Sequence, residues 1–170
     1  MIVAWAKPDA TNPVQQKFPI PAGTIEDDLI QPADFMPTLA AIAGTPLPSD
    51  QRVDGHDLSA YIHGRAGTHR PQSFLSHFPH SRGSDAYFTS YTEGDWKIIY
   101  DHAAKGWQLF NLAEDIEEQK NLVASNPPVA LAMAQSLITA LKKEDGQLPI
   151  IKMSGKPAEP DLSPLQAAVK

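Results

Sequence analysis

Between residues 73 and 112, four short runs rich in aromatic and β-branched residues follow one another. They are Ser73 to Phe78, Ala86 to Tyr91, Trp96 to Tyr100 and Trp107 to Leu112. Only brief turn-rich stretches separate them. A parallel crossover takes roughly a dozen residues or more, so connections this short favour antiparallel neighbours. The runs therefore predict a four-stranded meander. An amphipathic helix is predicted next, from Pro127 to about Glu144, with Asn126 as its cap. Its stripe is Ala130, Met133, Ala134, Leu137, Ile138 and Leu141, its last turn holds Lys142 and Lys143, and Gly146 follows. The stripe is expected to pack on one face of the sheet.

The pattern before residue 70 is different. Ile2 to Trp5 is a short apolar run stopped by Lys7-Pro8 and reads as a buried strand. Such a strand needs neighbours on both sides, and nothing earlier in this sequence supplies one. Pro8 to Gly23 reads as a Pro-rich loop. Asp34 to Ala43 predicts a largely buried helix, with Asp34 at the N-cap, Pro37 in the first turn and Gly44 at the C-terminal end. Asp57 to His63 predicts a short helix closed by Gly64. From about Lys152 onward, Pro157, Pro160 and Pro164 suggest a weakly ordered tail.

Composition narrows the function classes. A net charge of −6 weighs against a nucleic-acid binder, which usually shows a basic surface. It still allows a local anion site built from a few Lys, Arg or His residues. The chain has no Cys, so disulfides, thiolate chemistry and Cys-based zinc sites are excluded. No apolar run approaches the ~20 residues of a membrane span. The first residues do not read as a signal peptide, and the compartment is left open.

Several segments, in order, resemble the C-terminal third of type I sulfatases. Asp34-Phe35-Met36-Pro37-Thr38-Leu39 with Ala43-Gly44 is similar to the family's D-x-x-P-T-L…A-G helix. Val53-Asp54-Gly55-His56-Asp57-Leu58 resembles the D-G-x-x-L turn after it. Gly94-Asp95-Trp96-Lys97-Ile98-Ile99 resembles a G-D-W-K-L-I strand. Leu109-Phe110-Asn111-Leu112, Asp115, Glu118 and Asn121-Leu122 resemble the L-[FY]-[ND]-L…D…E…N-L signature. His77-Phe78-Pro79-His80 resembles a motif of one bacterial subset.

The resemblance implies an α/β fold in two parts. Residues 1–68 would be an edge remnant of the sulfatase (alkaline-phosphatase-like) catalytic domain. Residues 70–150 would be a C-terminal four-stranded antiparallel sheet with one packed helix, and residues 151–170 the tail. The family's nucleophile is a formylglycine made in a C/S-x-P-x-R motif, and its calcium is held mainly by Asp and Asn. This sequence has no such motif, so no catalytic or metal-binding residue carries over and no cofactor is expected in this chain. The parent family is often secreted or periplasmic.

The residues themselves offer few alternatives. His77 and His80 could line the mouth of a parent cleft and contact a sulfated substrate, or lie as polar side chains at a sheet edge. Arg82 could add a cation for a sulfated sugar, or be a solvated loop residue. Many family members carry Arg near Thr92, so a basic contact there is in doubt. Lys97 reads as a snorkelling side chain. Asp27 and Asp28 are adjacent, but neighbouring side chains in extended chain point opposite ways. Asp115, Glu117 and Glu118 read as a turn and a solvated helix start rather than a cation site. Trp96, Trp107 and Tyr100 could form a sugar-stacking platform but more often form a core.

Two functions stand against each other. One is the C-terminal part of a sulfate-ester hydrolase acting on a sulfated carbohydrate or aryl sulfate, inactive alone. The other is a non-catalytic module that binds sulfated glycans or a protein partner.

Overall fold

In the computed structural model, which describes residues 3–25, 30–64, 73–80 and 87–169, the chain divides into two units, Met1–Gln72 and Ser73–Lys170. The second holds the predicted meander. Its strands are β1 (Ser73–Phe78), β2 (Phe88–Glu93), β3 (Trp96–Asp101) and β4 (Gly106–Asn111), in the order β1-β2-β3-β4 with every pair antiparallel. Glu93 pairs with Trp96 across a two-residue turn. Gly94 takes φ 57° there, a left-handed conformation that glycine adopts without steric cost.

Strand register sorts the side chains. Leu75, Tyr91, Ile98 and Leu109 are aligned across the sheet on one face, and His77, Thr89, Tyr100 and Trp107 form the next row of that face. Helix Pro127–Lys143 packs on it through Ala130, Met133, Ala134 and Leu137, and Leu141 of the same stripe is buried as well. Asn126 stands at the cap position, but its side chain makes no capping hydrogen bond.

The expected weakly ordered tail is corrected. Residues Ser163–Ala168 form a helix, and Leu165 is buried in the same core. The Trp107 indole N–H donates to the Asp161 carbonyl at 2.7 Å, and an isolated antiparallel bridge joins Ile150 to Pro157. Prolines ended elements here without preventing order, because one leucine and one indole anchor supply the burial that composition does not reveal.

Among the described residues of the first unit, three short helices and one 3₁₀ turn are present. Helix α1 (Pro13–Lys17) lies inside the stretch expected to be a loop. Asn12 caps it by accepting from the Val14 and Gln15 amides, and Pro13 opens the first turn. A 3₁₀ turn, Pro32–Asp34, leads into α2 (Phe35–Ala43), which ends at Gly44 with φ 69°. Helix α3 is Ser59–Ile62. The helices of the second unit are accordingly α4 (Pro127–Lys143) and α5 (Ser163–Ala168).

Two further expectations are corrected in this unit. Val3 to Trp5 form no strand, and Val3 and Ala4 are exposed; Ile2 lies outside the described residues. A strand needs a ladder partner, and no described residue of this unit is in a strand. Helix α2 is not largely buried. Phe35, Met36 and Leu39 are 48%, 46% and 61% exposed, and only Pro37 and Thr38 are buried along it. The apolar residues run around the helix, but the unit covers one side only.

Candidate functional site

The motif residues of the first unit form a clasp. Asp34, 2% exposed, accepts the Gln31 amide on Oδ2 and the His56 amide on Oδ1, both at 2.9 Å. Thr38 Oγ1 donates to the Asp34 carbonyl at 2.6 Å and accepts the Leu58 amide at 2.9 Å. The turn can approach this closely because residue 55 is glycine. A Cβ there would lie 1.9 Å from the Ala33 carbonyl oxygen. Asp34, Thr38 and Gly55 thus join two sequence motifs through backbone amides. Sequence reasoning gave Asp34 the cap role, whereas its carboxylate reaches across 22 positions to His56.

In the second unit the signature residues act on the exit from β4. Asn121 Oδ1 accepts the Leu109 and Val123 amides, each at 3.1 Å. Asp115 accepts the Gln119 amide at 3.0 Å and the Lys120 amide at 2.8 Å. These amides hold the Asp115 carboxyl below its ordinary value, because they bond the charged form. Glu118 pairs with Lys97 at 2.6 Å, so neither is the solvated or snorkelling group that spacing suggested. Tyr100 and Trp107 are core residues with ring centroids 4.6 Å apart, and Trp96 packs against that core. Burial raises the Tyr100 phenol above its ordinary value. Thr92, where a basic contact was in doubt, is buried between Phe74 and Lys97 in the sheet register.

The histidines separate. His77 lies on the helix-covered face of β1, and both of its ring nitrogens are engaged. Nδ1 is 2.7 Å from the Thr89 hydroxyl and Nε2 is 2.8 Å from the Gln147 carbonyl. Thr89 Oγ1 also meets His102 Nε2 at 2.9 Å. His102 was missed in the sequence, because it follows β3 in a turn and carries no motif. It is buried, stacked on Tyr87 and edge-on to Tyr100. Burial pushes its imidazole below the ordinary value and the nearby His77 adds to this, while the Ala158 carbonyl and Asp101 oppose. The Ala158 carbonyl does not reach hydrogen-bond geometry with Nδ1, which is buried without a partner.

His80 is exposed just past the end of β1, with its ring 6.5 Å from that of Phe78. It takes no part in the hydrogen bonds that hold His77. Arg82, Asp27 and Asp28 lie outside the described residues. Among the described residues, no group of three His, Asp or Glu side chains could hold a metal ion. The carboxylates of Asp34 and Asp115 are occupied by backbone amides. No helix among the described residues is long and apolar enough to cross a membrane.

Residues 7–146 match the family model described as N-sulphoglucosamine sulphohydrolase, C-terminal. A protein named Sulfatase from Formosa agariphila is 33% identical over 118 residues, covering 64% of this chain and 20% of its own length. A solved protein in complex with its substrate D-glucosamine-2-N,6-O-disulfate has a TM-score of 0.56 at 20% identity. The match covers 75% of this chain and 25% of that one. A solved 2-O GAG sulfatase has a TM-score of 0.55 at 19% identity, over 66% of this chain and 25% of that one. The chain spans between 20% and 25% of the length of these relatives. At these identities the solved structures establish the α/β fold.

Proposed function

Because the chain belongs to the N-sulphoglucosamine sulphohydrolase C-terminal family, we propose that it works as the C-terminal part of a sulfatase-like hydrolase. In this reading it completes a catalytic domain whose own residues supply the formylglycine and calcium. The reaction is hydrolysis of a sulfate ester, and a sulfated carbohydrate is the substrate class that the solved relatives' substrates suggest. The observation that carries the reading is the bare apolar side of α2. Phe35, Met36 and Leu39 are exposed together, next to a groove lined by Val3, Ile30, Leu58 and Ile62. A folded unit rarely leaves such a surface open unless something packs on it.

Within that reading, His80 is the side chain free to meet substrate. A neutral imidazole donates one hydrogen bond to a sulfate oxygen, and a protonated one adds charge. Arg82, two residues on, would supply a second cation to the same group.

The purified chain is expected to show no turnover of an aryl sulfate above the uncatalysed rate. Clear turnover, lost on removal of calcium, would place the chemistry within these residues and overturn the reading. A second reading, a module that binds sulfated glycans without catalysis, is favoured by the closed core of the second unit. Titrating the chain with D-glucosamine-2-N,6-O-disulfate tests that second reading. It requires saturable NMR shift changes in the isolated chain, and their absence would remove it.

A further inference from the structure

The direction of the hydrogen bonds around His77 is forced. Gln147 offers a carbonyl to His77 Nε2 at 2.8 Å, and a carbonyl only accepts, so Nε2 carries a proton. In the neutral ring Nδ1 is then a lone pair. The Thr89 hydroxyl, 2.7 Å away, donates to it. With its hydrogen engaged, Thr89 Oγ1 accepts from His102 Nε2–H at 2.9 Å. His102 Nδ1 is left as a bare lone pair, buried and without a partner. Reversing every bond in the neutral state would set the His77 Nε2 lone pair against the Gln147 carbonyl oxygen at 2.8 Å, a repulsion that excludes it.

One added proton removes the conflict. We infer that His77, Thr89 and His102 form a proton relay that reverses direction when it takes up a single proton, charging His77 and switching the tautomer of His102. A hydronium ion gives its proton to His102 Nδ1. His102 Nε2 passes its proton to Thr89 Oγ1, and Thr89 passes its former hydrogen to His77 Nδ1. Three N–H or O–H bonds form and three break, counting the one in hydronium, and the net gain is one positive charge. His77 then donates from both nitrogens, to Thr89 and to Gln147. Thr89 donates to His102 Nε2, and His102 Nδ1–H faces the side of the Ala158 carbonyl that already favours a proton there.

His77, less buried than His102 and with a hydroxyl and a carbonyl against its two nitrogens, is the ring placed to carry the charge. Charged ring donors make shorter and stronger bonds to carbonyls than neutral ones. The Gln147 carbonyl and the Ala158 segment bracket the Ile150–Pro157 bridge, so acidification ties this segment more tightly to the sheet. The surroundings set the polarity. From β1 the titratable group is His77, and from β3 and its end Tyr100 and Asp101. Tyr87 stacks on His102 from the start of β2, and Asp161 acts on Tyr100. The buried face of α4 carries no titratable residue, and Lys142, Lys143, Glu144 and Asp145 after it are exposed.

Imidazole ¹⁵N NMR of the whole chain through about pH 5–8, the range in which histidines commonly titrate, reads each ring nitrogen separately. His102 is expected to change from the Nε2–H to the Nδ1–H tautomer while remaining neutral. Its midpoint should coincide with the uptake of charge by His77, whose Nε2 stays protonated throughout. A His102 that keeps Nε2–H across the titration, or that becomes charged with His77, overturns the inference. In Thr89→Val the link is cut, and the His102 tautomer should no longer follow His77; a midpoint still shared in this variant would also overturn it. The titration of the unsubstituted chain decides the matter even where the variant does not fold.

Discussion

In residues 73–170 an apolar cluster of Ile98, Leu109, Ala130, Ala134 and Leu137 is fully buried between a sheet face and α4, with Thr89 and His102 buried beside it. In residues 1–72 the buried set is mixed: Phe18 and Leu58 beside Asp34, Thr38 and Ser59, while Phe35, Met36 and Leu39 are open to solvent. The second unit is stabilised by apolar area removed from water, worth about 25 cal/mol per Å². The first is shaped largely by a polar clasp. Hydrogen bonds that replace bonds to water contribute only about 0.5–1.5 kcal/mol each, although stranding a buried partner costs more. A clasp therefore fixes a conformation better than it stabilises one. The difference teaches that the first unit is specified in detail, while its described residues bury few apolar side chains.

Leu137→Ala should give the largest loss, because the site is enclosed on every side. A buried Leu→Ala change costs about 2–5 kcal/mol. Urea unfolding followed at the Trp107 indole N–H resonance should show it, and a loss below about 1 kcal/mol would mean that the core is less closed than described.

Asp34→Ala comes next. It leaves the part-buried Gln31 and His56 amides without their acceptor, so each should cost toward the low end of the roughly 1–3 kcal/mol of a stranded buried donor. The change should appear in the first unit and leave the Trp107 transition unmoved. Equal loss in both transitions would break the distinction between the units.

Asp115 gives a smaller, pH-dependent effect. Its carboxyl is held below the ordinary value near 3.8 by the Gln119 and Lys120 amides. The stabilisation is present above that value and disappears as pH falls through the depressed one. Asp115→Asn should lower Tm at neutral pH and converge with the unsubstituted chain in strong acid. A gap that stays constant with pH would contradict this assignment.

Leu39→Ser should be smallest in stability, within about 0.5 kcal/mol, as for other exposed positions. It should nonetheless reduce binding of a hydrophobic dye such as ANS. A large loss of stability would show that the exposed side of α2 is packed after all.

These contrasts also explain what could be read in advance. Strand alternation and the α4 stripe arise from local periodicity, so the sheet, its order and the helix on it were legible. Helix α2 was located by Pro37 and Gly44, but its exposure was not, because apolar residues around a helix do not say which sides have partners. The order of residues 157–168 rests on Leu165 and the Trp107–Asp161 bond, a contact across 54 positions that no local pattern encodes. His77 stood out by its motif, whereas His102 became visible only when the register put Thr89 between the two rings. The family motifs were legible as words, and the clasp and the Asn121 bonds give them their physical meaning.

Native-state hydrogen exchange of the whole chain is the most direct measurement of the contrast between the units. The amides of β2, β3, β4 and the middle of α4 should exchange only through global opening, while those of α2 should exchange through cheaper, local opening. Protection in α2 equal to that in β3, without any added partner, would contradict the view that the first unit awaits a cover.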